Sequence, residues 1–149
     1  MDNGEQTLAS ALAKASILQL TKCSEILKRR AEVAVKRRAK VSLREAWVLV
    51  AAGSDAQVTQ KQIARNLALN QNVMVQLLDK LEKSRHVRRI RNSRNRREQF
   101  VRLTPKGKSA LRQLFANQAK IYRSVFAPLD EAQVTSLLHA AKTFLDSNN

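Results

Sequence analysis

Apolar residues recur along this chain at helical spacing almost from end to end. Leu8, Ala11, Leu12, Ala15 and Leu18 follow the spacing of one helix face. Leu20, Leu27, Ala31, Ala34 and Val35 continue the stripe with some drift, which predicts a first helix from about Glu5 to Lys40, broken at most once. No glycine or proline lies between Gly4 and Gly53 to interrupt it. A helix of this length cannot bury its stripe alone and must pack on other helices, of this chain or of a second subunit. A second helix is predicted from Leu43 to Ala52. Ser42 is its N-cap, Glu45 takes the capping-box position, and Gly53 suits a left-handed C-terminal residue.

Thr59-Gln60-Lys61-Gln62 is another capping box and starts a third helix, with Ile63, Ala64 and Leu67 inward. After the short turn Ala68-Leu69, Asn70 caps a fourth helix that runs to about Ser84, with Val73, Leu77, Leu78 and Leu81 inward. A short helix, a tight turn and a longer helix make the helix-turn-helix pattern. The period then changes. Val87, Phe100, Val101 and Leu103 favour strands and flank a turn-forming centre of Asn, Ser and Arg, so residues 87–103 read as a two-stranded hairpin with a basic tip. Thr104-Pro105 restarts a helix that Pro128 ends, with Leu111, Leu114, Phe115, Ile121, Tyr122 and Val125 on one face. Leu129-Asp130 opens the last helix. Asp130 caps it, Gln133 completes a capping box, and Leu137, Leu138, Ala141, Phe144 and Leu145 form its stripe. The expected fold is mainly α with a small β-hairpin wing.

Charge changes the picture most. Lys and Arg number 28 against 12 Asp and Glu in 149 residues, a net charge of +16. Such an excess points to a polyanionic partner, nucleic acid before an anionic membrane surface. It is also unevenly placed. Twelve cations fall between Lys83 and Arg112, opposed there by Glu98 alone, and a second group runs from Lys28 to Arg44 against Glu32 and Glu45. The chain after Arg123 is close to neutral. The positive field is therefore aimed at the helix-turn-helix and hairpin, as phosphate contact requires.

Other chemistry is sparse. Hydrophobic residues make up 44% of the chain, unlike a disordered sequence. No apolar run nears the ~20 residues of a membrane span. The polar, acidic start lacks a signal peptide's basic region, so the expected location is cytoplasmic. A single Cys23 and two distant histidines, His86 and His139, give no disulfide framework and no metal-ligand spacing. No nucleophile–base pairing or phosphate loop suggests an enzyme, and no cofactor is expected.

The stretch from Leu43 to Gly107 resembles the multiple-antibiotic-resistance regulator (MarR) family of winged-helix transcription factors. The residues that carry the resemblance are Thr59-Gln60-x-x-Ile63-Ala64, the run Leu69 to Lys83 ending Leu77-Leu78-Asp79-Lys80-Leu81-Glu82-Lys83, then Asn95-Arg96-Arg97 and Leu103-Thr104-Pro105-Lys106-Gly107. The order and lengths of the flanking helices also fit. The resemblance implies a winged helix-turn-helix lobe at residues 41–107, with N- and C-terminal dimerisation helices at 1–40 and 108–149. It implies a homodimer on near-palindromic promoter DNA that acts as a repressor, released by an unidentified small-molecule effector or by cysteine oxidation. It places the recognition helix in the major groove and the wing at the adjacent minor groove.

Carried onto this chain, Asn70 caps the recognition helix, where its N-terminus can meet phosphate. Gln71, Asn72, Val75 and Gln76 form the reading edge. Gln and Asn pair bidentately with adenine, and Val touches a thymine methyl, although partial burial would serve Val75 equally. Arg91, Arg94, Arg96 and Arg97 are the wing cations, and a narrow A·T minor groove attracts arginine. The chain departs from the family pattern in three ways. Asn95 stands where the wing usually carries Asp, which orients the second following Arg. Arg85-His86 replaces the usual Gly-Leu, and a left-handed Arg costs roughly 1 kcal/mol, which predicts a different helix end. The chain is also more basic than the family generally is.

Four readings follow. The first is a sequence-specific regulator, and the second a low-specificity architectural DNA-binding protein on the same fold. The third is a redox sensor through Cys23, set against the commoner buried and inert cysteine. The fourth is an RNA-binding winged helix. Trp47 reads as core, or as the wall of an effector crevice between the terminal helices and the lobe. His86 reads as structural or as a phosphate donor.

Overall fold

The computed structural model describes residues 3–53, 57–93, 95 and 98–147, with residues 3–9 and 11–13 described by their backbone alone. Seven helices and one hairpin are seen among them. In order they are α1 (Asn3–Ala39), α2 (Leu43–Ala52), α3 (Gln60–Asn66), α4 (Gln71–Lys83), β1 (Val87–Arg91), β2 (Gln99–Leu103), α5 (Pro105–Ala116), α6 (Gln118–Phe126) and α7 (Glu131–Asp146). The mainly α fold with a hairpin wing is as expected, and α1 runs unbroken. By its internal contacts the chain forms two units, Glu32–Ile121 and the combination of Met1–Ala31 with Tyr122–Asn149.

Local chemistry sets most helix starts. Ser42, Thr59 and Asp130 close full capping boxes with Glu45, Gln62 and Gln133, and Asn70 and Thr104 cap α4 and α5. The Ser42–Glu45 box is also a tertiary tie. Glu45 is buried on α2, its Oε2 accepts the Ser42 N–H at 2.6 Å, and its Oε1 lies 3.0 Å from Lys80 Nζ on α4. Burial raises the carboxyl's pKa, but the hydrogen bonds from Ser42 and Lys80 outweigh it, and the net position is below the ordinary 4.5. A depressed carboxyl contributes stability above its unfolded value and loses it as pH falls through its folded value. Glu45→Gln should therefore cost about 1 kcal/mol at pH 7. The gap to wild type should close below pH 4.5 in denaturant titrations taken at several pH values. A gap that stayed constant down to acid would remove the ionised tie.

The Glu32–Ile121 unit holds one core. Val48, Leu49, Ile63, Met74, Leu78 and Leu81 are fully buried there, with Val87 and Val101 of the wing packed among them. The strands pair antiparallel, Val87 opposite Leu103 through Arg91 opposite Gln99. One feature of this sheet had no sequence signal. Val58 accepts the Val101 N–H at 3.0 Å and Thr59 bridges Phe100, so the segment entering α3 lies along the outer edge of β2.

Four expectations need correction. Gly53 is right-handed, with φ −81°, and its missing Cβ instead leaves room for Leu111. The helix expected to run from Pro105 to Pro128 is interrupted at Asn117. There the side-chain Nδ2 donates to Gln113 O at 2.9 Å and competes with the backbone ladder. Trp47 is 42% exposed and not core, because α2 buries Glu45, Ala46, Val48, Leu49 and Ala52 and so turns Trp47 and Val50 outward. Arg85 does not alter the helix end. It adopts φ 60°, Arg85 N–H bonds Glu82 O and His86 N–H bonds Leu81 O, so α4 stops in the usual left-handed motif despite the side chain.

The second unit is different in character. Among its described residues only Val125 and Val134 are buried apolar side chains, whereas Ile17, Leu18, Leu20, Phe144 and Leu145 are more than half exposed. Arg30 ties the unit locally, donating to the Val125 and Ala127 carbonyls at the end of α6. Cys23 is exposed on α1, not buried. Among the described residues no helix is long and apolar enough to cross a membrane, and no group of three His, Cys, Asp or Glu residues could hold a metal ion.

Candidate nucleic-acid interface

The face that α4 presents follows from what it buries. Met74, Leu78 and Leu81 lie one helical turn apart and fill the core, with Val73 and Leu77 half-buried beside them. That arrangement leaves Gln71, Asn72 and Gln76 exposed on the outer edge and Val75 half-buried at its border. Val75 thus contributes to packing and leaves part of its methyl surface next to the amides. Asn70 is exposed, but its Oδ1 accepts the Val73 N–H at 2.9 Å, so its carboxamide serves the cap. The other first-turn N–H groups, of Gln71 and Asn72, lie at the helix N-terminus.

Arg91 is exposed at the end of β1. The hairpin beyond it is closed by Asn92 N–H to Glu98 O at 3.1 Å and Glu98 N–H to Asn95 O at 2.9 Å. Arg94, Arg96 and Arg97 lie outside the described residues.

A strut that the sequence reading missed joins α4 and the wing. Arg89 on β1 donates from Nε to Glu82 Oε2 at 2.8 Å, and its terminal nitrogen meets both Glu82 and Asp79 of α4. Its backbone N–H also reaches Glu82 Oε1 at 2.7 Å. The Glu82 hydrogen bond raises the guanidinium pKa despite partial burial, and Asp79 adds to the effect. Arg89 must therefore be subtracted from the cations free to meet phosphate. The signal was present in the sequence: Asp79 and Glu82 are three apart on one helix face, and Arg89 shares a strand face with Val87.

The Thr104-Pro105-Lys106-Gly107 stretch holds the other end of the strut in place. Thr104 N–H bonds His86 O at 3.0 Å, Thr104 Oγ1 donates to the Arg85 carbonyl while accepting the Gly107 N–H, and Lys106 Nζ caps Ser84 O at 2.9 Å. Gly107 is buried directly against the His86 carbonyl. His86 itself is structural. Its Nδ1 is 2.8 Å from Ser84 Oγ, and burial, helped by Lys106, pushes the imidazole below 6.5. That shift favours the uncharged ring.

The comparisons agree with this geometry. A search of curated proteins finds none that matches this sequence. The family of winged helix DNA-binding domains matches residues 41–107. Among solved structures, a MarR family transcriptional regulator from Streptomyces coelicolor in complex with DNA superposes with a TM-score of 0.77 at 20% identity, covering 92% of this chain and 88% of that one. A mutant MarR from E. coli complexed with operator DNA gives 0.76 at 18% identity, covering 87% and 96%. The PcaV transcriptional regulator from Streptomyces coelicolor, in complex with its natural ligand, gives 0.65 at 17% identity, covering 73% and 77%. Residues 41–107 thus match the family of winged helix DNA-binding domains, and over most of its length the chain has the fold of solved MarR-family structures.

Proposed function

We propose that the chain is a homodimeric transcriptional regulator that represses by occupying near-palindromic promoter DNA, with α4 in the major groove and the wing at the minor groove. The observation that carries this reading is the outer edge of α4. Gln71, Asn72 and Gln76 project together from a helix whose opposite face is locked into the core and whose wing is fixed to it through Arg89. Amides held on a rigid helix suit base readout. The dimer is supported by the second unit, where large apolar side chains on α1 and α7 are left exposed in the single chain. Residues 1–40 and 108–149 supply the pairing helices, and residues 41–107 the DNA-binding lobe. Two of the structural neighbours were solved with DNA and one with a natural ligand, so a small-molecule effector belongs to the same proposal.

A net charge of +16 favours a second reading, an architectural protein that coats DNA with little sequence preference. Selection of bound sequences from random duplexes separates the two. The regulator should enrich an inverted repeat whose half-sites lie about 10 base pairs apart, or a multiple of that. A bound pool with no enriched motif would overturn the regulator in favour of the architectural protein.

A further inference from the structure

The wing sheet has a second face that α4 does not use. Strand alternation turns Val87, Arg89 and Val101 toward α4, and Arg88, Ile90 and Arg102 the other way. On that far side Arg88, Ile90 and Arg102 line a cleft of about 640 Å³ with Lys108, Arg112 and Phe115 of α5. An adjoining recess of about 370 Å³ is again lined by Arg88, Lys108 and Arg112. Arg88 and Arg102 are direct cross-strand partners, an arrangement that like charges disfavour. Among the described residues none of the four cations has a carboxylate partner. Phe115 is 58% exposed and Ile90 38%, so the cleft also carries bare apolar surface.

Four cations without a carboxylate partner among the described residues, and an aromatic ring, on one concave surface define a ligand class. A monovalent anion would leave most of the repulsion in place. The volume lies within the roughly 300–1,000 Å³ of small-molecule sites. We propose that this cleft binds a small polyvalent anion carrying a flat apolar group, the chemistry of a nucleoside di- or triphosphate. The phosphate oxygens sit among Arg88, Arg102, Lys108 and Arg112, where guanidinium forks match them bidentately. The planar ring lies against Phe115 and Ile90. Binding relieves a repulsion built into the folded lobe, so it stabilises the protein.

The test is thermal unfolding of the full chain with ATP, sodium triphosphate, inorganic phosphate or added sodium chloride at matched ionic strength. ATP at about 100 times its Kd should raise the midpoint by about 5–10 °C, with triphosphate clearly less effective. Arg88→Gln and Arg112→Gln should each weaken ATP binding by about tenfold. Their ligand-free midpoints should match or exceed wild type, because a like-charge contact has gone. Equal shifts with chloride, equal shifts with triphosphate, or undiminished ATP binding in both variants would each overturn the proposal. So would a loss of duplex affinity as large as the loss of ATP affinity, because the cleft would then belong to the DNA grip.

Discussion

Gly107→Ala should destabilise the protein by about 2–3 kcal/mol and lower its unfolding midpoint by about 5–10 °C. A Cβ at position 107 would overlap the carbonyl oxygen of His86 and lie 3.0 Å from its carbonyl carbon. Neither partner can step aside cheaply. The His86 carbonyl already accepts the Thr104 N–H, and Gly107 N–H is fixed to the Thr104 hydroxyl. Relief would require pulling α5 away from the turn that joins α4 to β1. That turn sets the angle between α4 and the wing, so under the proposed function the variant should lose DNA affinity as well as stability. Gly53→Ala is the matched control. Its Cβ would press chiefly on the end of the Leu111 side chain, which can rotate, and secondarily on Leu49 O at 3.1 Å. It should cost less than about 1 kcal/mol. Similar midpoints for the two variants in calorimetry would show that the close approach at His86 is not a constraint.

That contrast also shows what the sequence reveals and what it hides. Helix starts were legible because an N-cap is written within four residues. Ser42 with Glu45, Thr59 with Gln62 and Asp130 with Gln133 each name their own partner. The exposure of residues 72 and 76 was legible from helical spacing, although the spacing named Val73 and Leu77 as inward where Met74 is the residue fully buried with Leu78 and Leu81. Gly53 misled because glycine serves two needs, a left-handed backbone and a close approach. The sequence does not say which operates until Leu111, far along the chain, arrives. Arg85 misled in the opposite sense. A cost of roughly 1 kcal/mol is small beside a core that fixes both α4 and β1, so the left-handed stop forms without its glycine. Arg89 counted as one more cation in a basic run. The sheet's register makes plain that it is spent on Asp79 and Glu82, whereas Arg88 and Arg102 on the other face have no carboxylate partner among the described residues. A count of charges measures the field of a segment; pairing across elements decides which of those charges a ligand can feel.

Under the proposed function, the same distinction should separate the wing from the outer edge of α4 in DNA binding. Arg97→Ala should weaken binding to every duplex and flatten its salt dependence. Each phosphate contact adds about −0.9 to the slope of log K against log salt, so a dimer that uses three cations per subunit has a slope of about −5. Losing Arg97 from both subunits should move it by about +2. At that starting slope, a fourfold rise in salt costs wild type roughly 1,000-fold in affinity, and the variant should lose much less. Gln76→Ala touches no such term. It should leave the salt slope unchanged and weaken the selected site by about 1–3 kcal/mol relative to unrelated duplexes, which erodes specificity and spares general affinity. The pair of measurements is diagnostic because Gln76 lies on α4, whereas Arg97 falls in the sequence between β1 and β2. If Arg97→Ala left the slope intact, the wing would not be the phosphate clamp. If Gln76→Ala weakened all sequences alike, the outer edge of α4 would be gripping the backbone and the architectural reading would gain what the regulator lost.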